Sequence, residues 1–287
     1  MHLYCSGAGS PTIVIEAGLG SDWLGWQVVQ PELSKLTRVC TYDRSGSGWS
    51  ERRSGSRDAE SIAQQLHALL DIAGVQRPIV LAGHSAGGLY VREFAREFPT
   101  EVDALVLVDS SSPKQIDELP RFRDSYEQAK RHAARNLWLD RLSVWSGWAR
   151  LIGECRETPG KGLQRLASFY EAKACRPEYV DGELGEYLDF ETSARQAGRL
   201  QSVGRKPVLI LSRDPKSADK SDMGEVIHNR EQEELKSLSP LSWRVIALNS
   251  GHKIFQDRPD VVTNEMSRLI RFIRGGAAPP FGLTRSE

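Results

Sequence analysis

The chain has 287 residues, 39% hydrophobic and 26% charged, a composition that fits one large α/β domain and excludes disordered or fibrous classes. Its 38 Lys and Arg balance 38 Asp and Glu, so no net charge draws it toward nucleic acid or an anionic membrane. No apolar run is long enough to span a bilayer.

Met1 to Cys5 reads as the inside of a strand, so a first strand and any leader segment are expected to lie ahead of this sequence. No basic stretch followed by an apolar one opens the chain, and a cytoplasmic location is expected. Thr12 to Ala17 is a β-rich run, followed by Gly18-Leu19-Gly20. Trp26 to Ser34 reads as a helix and Thr37 to Tyr42 as the next strand. Asp58 to Ala73 has Ile62, Leu66, Leu69 and Leu70 on one helical face, with Gly74 as its stop. Pro78 to Ala82 is a strand, Leu89 to Ala95 a helix, and Ala104 to Val108 another strand. Such near-continuous apolar strands alternating with helices predict a mostly parallel sheet covered on both faces.

After Pro113 the strand rhythm stops. Residues 113–204 read as a helical, charged, tryptophan-containing cap inserted after the sixth strand, far longer than a crossover needs. Trp138, Trp145 and Trp148 are its candidates for an apolar substrate pocket. Strand rhythm resumes at Pro207 to Ser212. A helix follows from Glu225 to Ser237, then a strand from Trp243 to Leu248 and a helix from Pro259 to Ile273. The core is thus 1–112 with 205–274, and 275–287 reads as a flexible tail. Zero net charge gives little resistance to self-association, which leaves a homo-oligomer open.

Four cysteines lack metal-ligand spacing. Cys5 and Cys40 read as buried strand residues. Cys155 and Cys175 share one region and could pair in an oxidising compartment, with free thiols the plainer reading.

The most informative segment is Gly83-His84-Ser85-Ala86-Gly87, a Gly-x-Ser-x-Gly pattern between a strand and a helix. A turn that tight needs residues without bulk on both sides of the serine. It lifts the Ser85 hydroxyl above the sheet and leaves the Ala86 amide facing any negative charge that develops there. A serine hydroxyl needs a base. Of six histidines, His252 sits in a loop after the last core strand, where it can face the same sheet edge. His84 is the variable elbow position and reads as packing, while His132 and His228 read as helix-surface residues. The base needs a carboxylate to fix its tautomer. Asp109 ends a buried strand, where an idle acid is costly, and is favoured. Asp214 ends the next strand and stays in contention, with Arg213 beside it as an alternative partner. Leu19 N–H is the candidate second oxyanion donor. Asp43 to Ser50 contains Gly-Ser-Gly, but Glu51 stands where a dinucleotide fingerprint needs glycine, so it reads as a turn bounding the pocket.

These pieces together resemble the α/β-hydrolase superfamily. The segments that carry the resemblance are Glu16 to Gly20, Tyr42 to Ser50, Gly83 to Gly88, Leu105 to Asp109, and Gly251-His252. The resemblance implies an eight-stranded sheet, a helical cap and serine-esterase chemistry without metal or organic cofactor, acting on a small-molecule ester. It departs in having Ala17-Gly18 where the family often has His-Gly. The family acid usually follows the strand equivalent to Val208–Ser212, and in haloalkane dehalogenases the one equivalent to Ala104–Val108. Epoxide and haloalkane hydrolases carry Asp at the position of Ser85. A lactone, amide, thioester or carbon–carbon hydrolase, or a ligand receptor on the same scaffold, are the alternatives.

Overall fold

A computed structural model describes residues 1–155, 157–174, 176–215, 223–277, 279 and 281–285. Eight strands form one sheet: β1 (Leu3–Ser6), β2 (Thr12–Glu16), β3 (Val39–Tyr42), β4 (Ile79–His84), β5 (Val102–Val108), β6 (Val208–Arg213), β7 (Ser242–Ala247) and β8 (Gly282–Arg285). Their spatial order is β1-β3-β2-β4-β5-β6-β7-β8. Among the described residues only β1 runs antiparallel to its neighbour, and the other pairs are parallel.

The period of two along each strand sorts the core into two layers. Ile13, Ile15, Val80, Ala82, Val106 and Leu209 face one side and pack on Trp26, Leu33, Val262, Met266 and Leu269. The alternate residues Val14, Leu81, Leu105, Leu107 and Ile210 face the other and pack on Leu66, Leu70, Val91 and Phe94. The first group of partners comes from α1 (Gln30–Leu33), the 3-10 turn before it, and α12 (Pro259–Ile273). The second comes from α2 (Ala59–Ile72) and α3 (Gly87–Glu97). Asp58 caps α2 by accepting the Ser61 amide at 2.9 Å.

Between β5 and β6 the chain forms α4 (Gln115–Glu118), α5 (Pro120–Trp145), α6 (Trp148–Leu151), α7 (Ala167–Ala174), α8 (Pro177–Leu188) and α9 (Phe190–Ala197). Helix α5 packs on α8, and α9 packs on α2 and α3. Two short stretches complete the core: α10 (Met223–Glu234) after β6, and α11 (Ile254–Asp257) ahead of α12.

The helical insertion follows β5, the strand expected to precede it and the sixth of a count that included one ahead of Leu3. Two other readings change. The C-terminal tail, read as loose for want of periodicity, contains β8, which pairs parallel with β7 from Trp243↔Gly282 to Ile246↔Arg285. An edge strand can form on main-chain hydrogen bonds alone, which no side-chain pattern announces. Cys5 and Cys40, read from the sequence only as buried strand residues, lie directly opposite in the β1–β3 register and form a disulfide. Cys155 is also disulfide-bonded, and its candidate partner Cys175 lies outside the described residues.

The Cys5–Cys40 bridge closes a loop of sequence separation 35 and ties the antiparallel edge strand to the sheet. Replacing both cysteines with serine should lower unfolding free energy by about 2–4 kcal/mol, measured by urea denaturation against the oxidised parent.

Candidate active site

Ser85 sits between β4 and α3 with φ 53, in the left-handed region. A non-glycine residue held there costs about 1–3 kcal/mol, so neighbours must enforce it. Its N–H donates to Val108 O at 3.1 Å, and its carbonyl accepts from Gly88 N at 3.0 Å and Ser111 N at 2.9 Å. The flanking glycines follow from crowding. A Cβ on Gly83 would lie 2.4 Å from the Gly87 carbonyl oxygen, and one on Gly87 would lie 2.6 Å from the Ala17 oxygen.

His252 follows β7 and its side chain is 47% exposed. Its Nδ1–H donates to Asp109 Oδ2 at 2.6 Å, which leaves Nε2 as the free basic nitrogen. The acid that reaches His252 is therefore Asp109. Asp214 instead accepts the Asn249 amide at 2.9 Å and braces the loop leading to His252. Arg213 bypasses its neighbour Asp214 and donates from Nη1 to Asp109 Oδ2 at 2.7 Å, while its other face pairs with Glu225. His228 Nε2–H donates to Asp109 Oδ1 at 2.9 Å. Burial alone would raise the Asp109 carboxyl. Hydrogen bonds from His228 and His252, with the charge of Arg213, outweigh it and hold the group well below the usual carboxylate range.

Beneath His252 lies His84, whose Nε2–H donates to the His252 carbonyl at 2.9 Å. Its ring packs edge-on against Phe255, which stacks on Trp26 at 4.4 Å. Burial and the neighbouring His252 push the His84 imidazole down to about 3.

The Gly18-Leu19-Gly20 loop is held by Arg44, whose side chain is 3% exposed. Its guanidinium grips both Glu186 oxygens, from Nε at 2.6 Å and Nη2 at 2.7 Å. It also pairs with Glu16 and donates to the Ala17 and Gly18 carbonyls at 2.8 and 2.7 Å. Glu186 in turn accepts the Gly20 amide at 3.0 Å. One buried cation thus fixes the loop and docks cap helix α8 to it. With these carbonyls turned toward Arg44, the Leu19 and Ala86 amides have no acceptor among the described residues.

Leu19, Ser85, Ala86, Asp109 and His252 line one cavity of about 420 Å³. Leu119, Tyr187 and Phe190 of the cap form its apolar side; Arg213, Glu225 and His228 form a polar wall. The size suits a small organic ligand. Ser85 Oγ makes no hydrogen bond to His252 in this structure; such contacts commonly tighten only around substrate.

The expected pocket tryptophans are elsewhere. Trp138, Trp145 and Trp148 are 64%, 78% and 57% exposed, and none lines the cavity. Sequence reading also missed Arg44, Glu186, His228 and Glu225. His228 was placed on a helix surface, yet positions 228, 231 and 232 form the buried face of α10, a spacing visible in the chain.

A serine raised on a strained turn at the carboxyl edge of a parallel sheet, under helices inserted between two strands, is the arrangement of the sheet-based hydrolases. The chain belongs to the alpha/beta hydrolase fold family, whose model matches residues 11–259. It is 29% identical to an uncharacterized protein of Schizosaccharomyces pombe, over 96% of this chain and 54% of that one. The chain spans about half the length of the first curated relatives it matches. It is 36% identical to the 2-hydroxy-6-oxo-2,4-heptadienoate hydrolase of Pseudomonas putida, over 37% of this chain and 40% of the other. Among solved structures, a thermophilic esterase from Thermogutta terrifontis superposes with TM-score 0.68 at 21% identity, covering 95% of this chain and 93% of that one. That last likeness is one of fold.

Arg44→Met should leave Glu16 and Glu186 buried without a cation and cost about 3–5 kcal/mol in urea denaturation, part of it restored by adding Glu186→Gln. His84 yields a pH effect. Above about pH 6.5 it is neutral folded or unfolded; from there toward about 3 the unfolded chain takes a proton that the folded chain refuses. Stability attributable to His84 should therefore be lost as pH drops from about 6.5 toward about 3, by about 1.4 kcal/mol per unit. The stability–pH curve of His84→Gln should be flatter by that amount.

Proposed function

We propose that this alpha/beta hydrolase cleaves carboxylic esters through an acyl-enzyme on Ser85. The observation that supports the reading is the His252 Nδ1–H bond to Asp109 at 2.6 Å, on the wall of the cavity that Ser85 enters. Ser85 Oγ attacks the acyl carbon and its proton passes to His252 Nε2. Asp109 stabilises the imidazolium without taking the proton. The Leu19 and Ala86 amides hold the oxyanion. His252 then gives its proton to the leaving alcohol. Water, activated by the same nitrogen, attacks the acyl-enzyme, and Ser85 is released with a carboxylic acid product.

The substrate is a small molecule with an apolar portion against Leu119, Tyr187 and Phe190. Partial identity to a carbon–carbon hydrolase of Pseudomonas putida supports a second reading on the same residues, hydrolysis of a C–C bond next to a carbonyl. No helix among the described residues is long and apolar enough to cross a membrane. Disulfides at Cys5–Cys40 and at Cys155 favour an oxidising compartment over the expected cytoplasm.

Ser85→Ala should reduce hydrolysis of short p-nitrophenyl esters by about ten-thousandfold or more, with the fold intact by circular dichroism. Asp109→Asn should lower kcat by a similar factor, because the wrong tautomer of His252 is then held. Asp214→Asn should cost far less. The reverse ranking would assign the acid to Asp214. Turnover of vinylogous diketones with none on esters would favour the second reading.

A further inference from the structure

The cap carries an apolar surface that the cavity does not use. Trp138, Leu142 and Trp145 are spaced four and three residues apart and share one face of α5. Trp148 and Leu151 on α6 and Ile152 at its C-cap follow directly after α5, and all six side chains are half exposed or more. Nothing among the described residues covers them. Isolated exposed leucines are ordinary, but three tryptophans within eleven positions on one surface are not. At 1.5 Å per residue, Trp138 stands roughly 30 Å along α5 from Leu119 at the cavity, so this surface is not its mouth.

Charge decides what fits it. The chain as a whole is neutral, yet residues 130–152 hold Lys130, Arg131, Arg135, Arg141 and Arg150 against Asp140 alone. Arg131 and Arg150 are exposed. Lys130 is paired, with Glu127 at 3.3 Å. A second copy docking the same face on itself would bring two cationic rims together, which opposes that occupant. Indole rings and leucines flanked by arginines match the boundary layer of a lipid surface, where the rings sit among headgroups and the cations meet phosphates.

We propose that this end of the cap docks onto an anionic lipid–water interface. The inference stands apart from the ester reading, and its test needs no turnover. Full-length protein is mixed with vesicles of equal parts phosphatidylglycerol and phosphatidylcholine at low salt, then sedimented. The protein should co-sediment, with tryptophan emission shifted to shorter wavelength, and salt should release it. Pure phosphatidylcholine vesicles should retain at least about tenfold less. Trp145→Ser with Trp148→Ser and Leu151→Ser should weaken vesicle partition by about tenfold or more. If that variant fails to fold, Arg131→Glu with Arg150→Glu should lose the preference for phosphatidylglycerol. Absence of co-sedimentation, equal binding to both vesicles, or a triple variant that only converts a dimer to a monomer in analytical ultracentrifugation would each overturn the proposal.

Discussion

Arg44 is the interaction on which the rest of the site depends. A guanidinium with five donors can serve two carboxylates and two carbonyls at once, and here it does all of that while almost fully buried. Glu16 ends the strand beside the elbow strand, the carbonyls belong to the Gly18 loop, and Glu186 belongs to the cap. Burying three charges is expensive, and the geometry must be close to ideal for the pairing to offset it. The bidentate grip on Glu186 meets that demand. The same bonds set the direction of the Ala17–Gly20 backbone, and so decide where the Leu19 amide points.

Asp109 is a second convergence. Its carboxylate meets His252 on one oxygen and His228 on the other, with Arg213 alongside. Burial alone would raise its carboxyl, and those donors hold it well below the usual carboxylate range. They also fix the carboxylate plane, so the imidazole it holds has one orientation. The left-handed φ of 41 at Asp109 belongs to this arrangement, because it turns the chain out of β5 just where the carboxylate must face the sheet edge.

Much of this architecture is legible in the chain, because buried strands declare themselves by apolar continuity and the elbow by its glycines. Ser85 and His252 are readable as candidates from their places at strand ends. The sequence favours Asp109 as the acid without excluding Asp214, because both end adjacent strands and only loop conformation separates their partners. Arg44 was read as part of a turn, since its partner Glu186 is 142 positions away and no local pattern links them. The cap tryptophans misled for a related reason. A helix with large apolar residues on several faces does not say which face turns inward until its neighbours are placed. The Cys5–Cys40 bridge likewise depends on the antiparallel register of β1, which the strand pattern leaves unstated.

Because the arginine that orients the Gly18 loop also anchors α8, the insertion is pinned at that helix. Lifting α8 would take Glu186 away from a buried cation and leave that cation paired with Glu16 of the core, a separation that costs free energy. Helices α4 and α5 make no bond to Arg44 among the described residues, so their sequences can change without losing that tie.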